Sequence, residues 1–157
     1  MAEYSANAIQ NVLANQPVIF TESPVPCNRG LIFHRDESGI FRLANTTNNL
    51  WTGCGCGCYQ MPESIYQVSF SGNIAIPTGG TVEAISLAIA IDGEIDPSST
   101  MIVTPAADDE YQNISTSIMV AVPAICRCSA VSVRNTSNQA VNVQNANIIF
   151  SYLGIRG

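Results

Sequence analysis

The sequence predicts an all-β chain, a jelly-roll sandwich of about eight to ten short antiparallel strands, and three observations carry that prediction. From Ile65 to Leu153 large apolar residues recur at every second position, the period of a half-buried strand. Turn residues interrupt these runs at short intervals, as at Pro77-Thr78-Gly79-Gly80, Asp92-Gly93 and Pro105–Glu110. Finally, only 11% of the 157 residues are charged and none is lysine. Soluble domains carry roughly 25% charged residues, and edge strands are guarded by charge, lysine above all. A lone monomer of this composition should aggregate, so part of its outward surface is expected to be subunit contact and the chain an obligate oligomer.

Taken in order, residues 1–16 are rich in Ala and Asn. Ile9, Val12 and Leu13 have helical spacing, but neither a capping box nor an acidic first turn accompanies them. The segment is expected to be an extended N-terminal arm outside a jelly-roll domain spanning 17–157. Pro17–Glu22 reads as a short strand closed by Ser23-Pro24-Val25-Pro26. Gly30–Arg35 and Gly39–Ala44 read as a hairpin, with Gly39 taking the positive φ of its turn. Residues 45–62 form a polar, Gly- and Cys-rich loop. Val68, Phe70, Ile74 and Ile76 share one face of the next strand, with Ser69, Ser71, Asn73 and Ala75 on the other.

Ile85, Leu87, Ile89 and Ile91 alternate with Ser86, Ala88 and Ala90, giving one large and one small apolar face. Small residues let a second layer approach closely, so Ala88 and Ala90 are the expected subunit contact. Strands follow at Thr100–Thr104, Ile114–Val122 and Ile125–Arg134, with Val131 and Val133 facing in. In the last strand Val141 and Val143 are odd whereas Ala146, Ile148, Phe150 and Tyr152 are even, so one extra residue near Gln144-Asn145 predicts a β-bulge.

One domain is expected from this length, by the prior of ~100–200 residues per domain. A net charge of −6, with arginines scattered at 29, 35, 42, 127, 134 and 156, speaks against nucleic acid, which needs clustered positive charge. The N-terminus lacks the basic start and apolar run of a signal peptide, and no segment approaches the ~18 apolar residues of a membrane helix.

Catalysis is not expected. His34, the sole histidine, lies within the Gly30–Arg35 strand with no nucleophile or carboxylate placed beside it by a recognisable motif. Cys54, Cys56 and Cys58 alternate with glycines, so an extended backbone would point all three thiols one way. Cys126 and Cys128 have the same relation. Neither set has the C-x2-C spacing of ordinary zinc sites. With Cys27 the six thiols leave three readings open: disulfides between segments or subunits, a metal at Cys54, Cys56 and Cys58, or reduced thiols. No other cofactor is expected. Asp92, Glu94 and Asp96, and the Asp108-Asp109-Glu110 run, lack an EF-hand pattern and read as solvated loops.

The segments PVPCNRGLIFHRDESGIFRLAN (24–45), YQVSFSGNIAIPTGG (66–80), ISLAIAIDGE (85–94) and SVRNTSNQAVNVQNANIIFSYLG (132–154) together resemble the bacterial and phage branch of the tumour necrosis factor/complement globular-head superfamily. That branch includes C-terminal domains of collagen-like spore-surface proteins and small phage structural proteins. The resemblance implies a jelly roll that trimerises about a threefold axis as a building block or adhesive head. No collagen-like Gly-X-Y stalk occurs here, which favours a virion over a spore surface. The expected function is a non-enzymatic, homotrimeric head decoration or fibre on a phage virion, its arm docking onto another structural protein by strand addition. A spore-surface or appendage subunit that stacks into filaments, and a carbohydrate- or receptor-binding head, are the alternatives.

Overall fold

The computed structural model describes residues 1–27, 30–46, 62–124 and 128–157. In chain order the strands are β1 (Ala2–Ala6), β2 (Gln10–Val12), β3 (Glu22–Val25), β4 (Ile32–His34), β5 (Phe41–Ala44), β6 (Glu63–Ala75), β7 (Ile85–Ile91), β8 (Glu94–Ile95), β9 (Met101–Val103), β10 (Gln112–Pro123), β11 (Cys128–Asn135) and β12 (Val141–Arg156). They form two antiparallel sheets, a jelly-roll sandwich as expected. The first has the order β10-β6-β12-β1-β3, with β2 also on β12; the second has β4-β5-β11-β7-β8, with β9 also on β7.

Alternation decides what fills the space between the sheets. Val68, Phe70 and Ile74 of β6, and Ile148 and Phe150 of β12, point inward from the first sheet. Ile85, Leu87 and Ile89 of β7 meet them from the second, with Val131 and Val133 of β11. Phe41 lies at the centre, 4.8 Å from Phe150 and 5.3 Å from Phe20 between ring centroids. Such tilted contacts add to the area each ring buries.

The segment expected to be an arm is part of the core. β1 lies inside the first sheet, antiparallel to β12 from Ala2↔Phe150 to Ala6↔Ala146. Ala2, Tyr4 and Ala6 are buried, and the Tyr4 ring centroid is 4.9 Å from that of Phe41. Residues 15–18 then cross to the second sheet, where the Val18 amide donates to the Val133 carbonyl and the Asn15 amide to the Asn135 carbonyl. The buried Asn135 side chain donates its Nδ2 to the Val12 carbonyl at 2.9 Å and to that of Gln139 at 2.8 Å, tying this crossing to the turn before β12.

Two further expectations change in detail. β3 runs through Ser23-Pro24-Val25, a sequence expected to stop a strand, because it lies at the sheet edge where a missing N–H costs no ladder bond. In the turn between β4 and β5 the positive φ belongs to Glu37, at 60°. Gly39 is required for another reason: a Cβ there would meet Pro17 Cβ and the Val18 carbonyl oxygen, both at 2.6 Å. The bulge lies where the phase change placed it, with a register shift between Gln144 and Asn147 and Asn145 at φ 52°.

Candidate functional site

The register of the first sheet determines which side chains share its outer face. Asn113, Asn73 and Gln144 form one row across β10, β6 and β12. Ser115, Ser71, Asn147 and Ser5 form the next, then Ser117, Ser69, Ile149 and Glu3. Met119, Gln67 and Ser151 follow, then Ala121 and Ile65, and Pro123, Glu63 and Arg156 end the face. Across β10, β6 and β12 the rows from Asn113 to Ala121 hold no charged residue, and the last row holds the Arg156–Glu63 ion pair. Glu3 stands at the border on β1, where it accepts from Asn147 Nδ2 at 2.6 Å.

Several polar groups of this face bond to one another. Ser69 and Ser117 hydroxyls are 2.9 Å apart, Gln67 Nε2 donates to Ser117 Oγ at 3.1 Å, and Asn113 Nδ2 donates to Asn73 Oδ1 at 3.1 Å. A shallow depression of about 340 Å³ lies among Ser69, Ser71, Ser115, Ser117, Asn147 and Ile149. Exposed Met119 and Leu153 lie toward the Ala121 end of this sheet. A strand spacing of about 4.8 Å and a rise of about 3.3 Å make the four-stranded face roughly 20 by 30 Å. That footprint approaches the ~800 Å² that each partner gives to a stable interface.

Ala88 and Ala90 lie on the other sheet, and the contact expected there is not available. Both point to its outer side but have no exposed surface in the single chain. Their cross-strand neighbours are Arg134 and Ser132, and Ser132 is buried as well.

Of the cysteines, Cys54, Cys56, Cys58 and Cys126 lie outside the described residues. Cys27 is half-buried and packs against the core, whereas Cys128 opens β11 exposed, opposite Ala44. The root of the Cys-rich loop is a polar cluster that the sequence did not reveal. The Tyr66 hydroxyl donates to the Ala44 carbonyl at 2.5 Å, and those of Tyr152 and Thr46 are 2.8 Å apart. The Thr46 amide donates to Ser64 Oγ at 2.9 Å, and Asn45 Nδ2 donates to the Val122 carbonyl. Burial, with Tyr152 and Cys27 adding to it, pushes the Tyr66 phenol up to about 12. Burial also raises Tyr4.

His34 is held by packing. Its ring stacks on Phe41 at 4.4 Å and 16°, and its Nε2 lies 2.9 Å from the Ser38 carbonyl oxygen. The acidic loops bond to backbone amides, their own or those of neighbouring segments. Asp92 Oδ1 accepts from the Ala130 amide, Asp96 Oδ1 from the Ser98 amide, Asp108 Oδ2 from the Gly79 amide and Glu110 Oε2 from the Ala106 amide. Among the described residues no three His, Cys, Asp or Glu side chains converge on a common point.

The two sheets and their order define a jelly roll of the kind found in complement globular heads. The globular domain of zebrafish complement 1qA is similar over 94% of each chain, with a TM-score of 0.58 at 10% sequence identity. A family 35 carbohydrate-binding module from Cellvibrio japonicus aligns over 98% of this chain and 96% of its own, at 11% identity and a TM-score of 0.37. No family model and no curated protein matches the chain in sequence. The likeness to the complement head is one of fold.

Proposed function

We propose that the chain is a non-enzymatic structural protein that assembles as a homotrimer, the outer face of its first sheet turned toward the threefold axis, and is displayed on a phage virion as head decoration or fibre. The observation that carries this reading is the uncharged centre of the face of β10, β6 and β12. Interface centres are depleted of charge, and a ladder in which Gln67, Ser69, Ser117, Asn73 and Asn113 already bond to one another strands fewer donors when it is covered. The complement-head fold and the 24–45, 66–80, 85–94 and 132–154 segments that resemble phage structural proteins support the context.

Attachment to the virion falls to loops and exposed edges, because β1 is occupied within its own sheet and cannot serve as a donor strand. Light scattering on the purified chain should give three times its 16.7 kDa mass. A stable monomer at micromolar concentration would refute the assembly. Mass spectrometry of purified particles tests the location: the chain should copurify with capsid protein in fixed stoichiometry, and its absence from particles would remove the virion reading.

A further inference from the structure

A second concave surface lies on the opposite side of the sandwich, on the outer face of β4 and β5. Phe33, His34, Arg35, Ser38, Ile40 and Arg42 are among the residues lining a depression of about 690 Å³. That volume falls within the ~300–1,000 Å³ of small-molecule sites. Phe33 is 56% exposed and directly opposite Arg42 in the register. More than half of this aromatic side chain is therefore open to a ligand from solvent.

The charges in this depression are also unused. Neither the Arg35 nor the Arg42 guanidinium makes a hydrogen bond or ion pair with the described residues; the ion pair found among them is Arg156 with Glu63, at 2.5 Å. Asp36 and Glu37, on the adjoining turn, do not line the depression. Ser38 Oγ accepts from the Ile40 amide at 3.1 Å, which leaves its hydroxyl proton to donate. The site therefore offers a flat apolar surface, two cationic forks and one hydroxyl donor, in a chain whose net charge is −6.

We propose that this depression binds an acidic saccharide, a uronic-acid sugar whose ring C–H face lies on Phe33 and whose carboxylate is taken by Arg42 and Arg35. Guanidinium forks match carboxylates bidentately, and an aromatic ring buries the apolar face of a pyranose while the sugar's hydroxyls remain wet. A peptide strand would instead pair along the open edge of β4, where none of these side chains directs it. Two cations are too few to hold a polyphosphate backbone on an acidic protein. The site is on the sheet remote from the proposed assembly face, so it and the trimer succeed or fail separately.

The test is titration of the full chain, by calorimetry and by amide chemical shifts at low salt, with tri-galacturonate, with neutral galactotriose and with tetraglutamate. Tri-galacturonate should bind and move the β4–β5 amides, with both comparators at least about tenfold weaker, since a charge-assisted hydrogen bond is worth roughly a decade in affinity. Arg42→Gln and Phe33→Ala should each lose about tenfold or more, and both are exposed enough to leave the melting temperature near that of the parent. No binding of tri-galacturonate at millimolar concentration would overturn the proposal. Equal binding of galactotriose would remove the role of the arginines. Equal binding of tetraglutamate would reduce the site to a general anion patch, and binding unaffected by both substitutions would place the sugar elsewhere.

Discussion

Ser69 and Phe33 both face outward from their sheets, yet their surroundings are opposite in kind. Ser69 sits in a ladder of serines and amides, several of which bond to one another, bordered by Glu3 on β1 and by Glu22 on β3, which accepts from Ser5. Phe33 stands exposed beside Arg42, whose guanidinium has no partner among the described residues. The same period of two places core residues between the sheets in both cases, so the inward pattern cannot distinguish the faces. The outward residues can. One face pairs several of its polar groups with one another and is prepared to be covered, while the other holds two cations without partners among the described residues and an exposed ring, which is what a ligand requires.

The most severe way to break this comparison is to remove the strand that completes the first sheet. Deleting residues 1–6 takes away buried Ala2, Tyr4 and Ala6. At roughly 1.5–3 kcal/mol for a large buried side chain, plus the exposed flank of β12, the loss rivals the 5–15 kcal/mol of a typical domain. Circular dichroism should show no cooperative thermal transition; a truncated chain that melts as the parent does would return residues 1–6 to the status of an arm.

Next in size, Ser69→Arg with Ser71→Arg should convert the trimer to monomer by light scattering while leaving the melt of the monomer cooperative. Each guanidinium would be buried without a counter-charge, at a cost of about 3–5 kcal/mol. Persistence of the trimer would show that another face makes the contact.

A smaller effect is expected where the two sheets are joined, at the Tyr66 hydroxyl and the Ala44 carbonyl. Tyr66→Phe should cost about 1 kcal/mol at neutral pH. The folded phenol titrates near 12 against about 10 in an unfolded chain. Its contribution is therefore complete below about 10 and is lost as pH rises from there through 12, because the unfolded chain releases the proton first. Chemical denaturation at pH 9 and 11.5 should show a decline in the parent that is reduced in Tyr66→Phe. The smallest effect belongs to Ile102→Arg, on the outer side of the second sheet and 65% exposed. Mass should not change, and stability should move by less than about 0.5 kcal/mol.

What was legible in the sequence was local. The inward set of β6 and the bulge near Asn145 could be read because alternation and its phase are properties of neighbouring residues. The role of β1 was not legible, since Ala-Glu-Tyr-Ser-Ala has one large apolar side chain, and its burial is decided by Phe150 and Phe41, far along the chain. Ala88 and Ala90 were placed on the second face of β7, but whether that face is surface depends on what the rest of the fold lays beside it. Gly39 was read as a turn residue because its contact with Pro17 exists only after the chain has crossed between sheets. The Phe33 and Arg42 site was missed for the same reason: its two halves face each other across a register that no motif announces.

The position of β12 between β6 and β1 has a consequence for synthesis. The strand emerges from the ribosome last among those of the domain, yet it is the one on which the first sheet is centred. Until Val141–Arg156 is free, β1 has no partner on that side and the long β6–β10 strand pair shows a bare edge. Pairings that span nearly the whole chain form slowly, so the nascent protein must wait with sticky strands exposed. Helper proteins that shield such edges, or rapid capture by sister chains from the same polysome, should therefore govern the yield of folded protein more than the stability of the finished sandwich does.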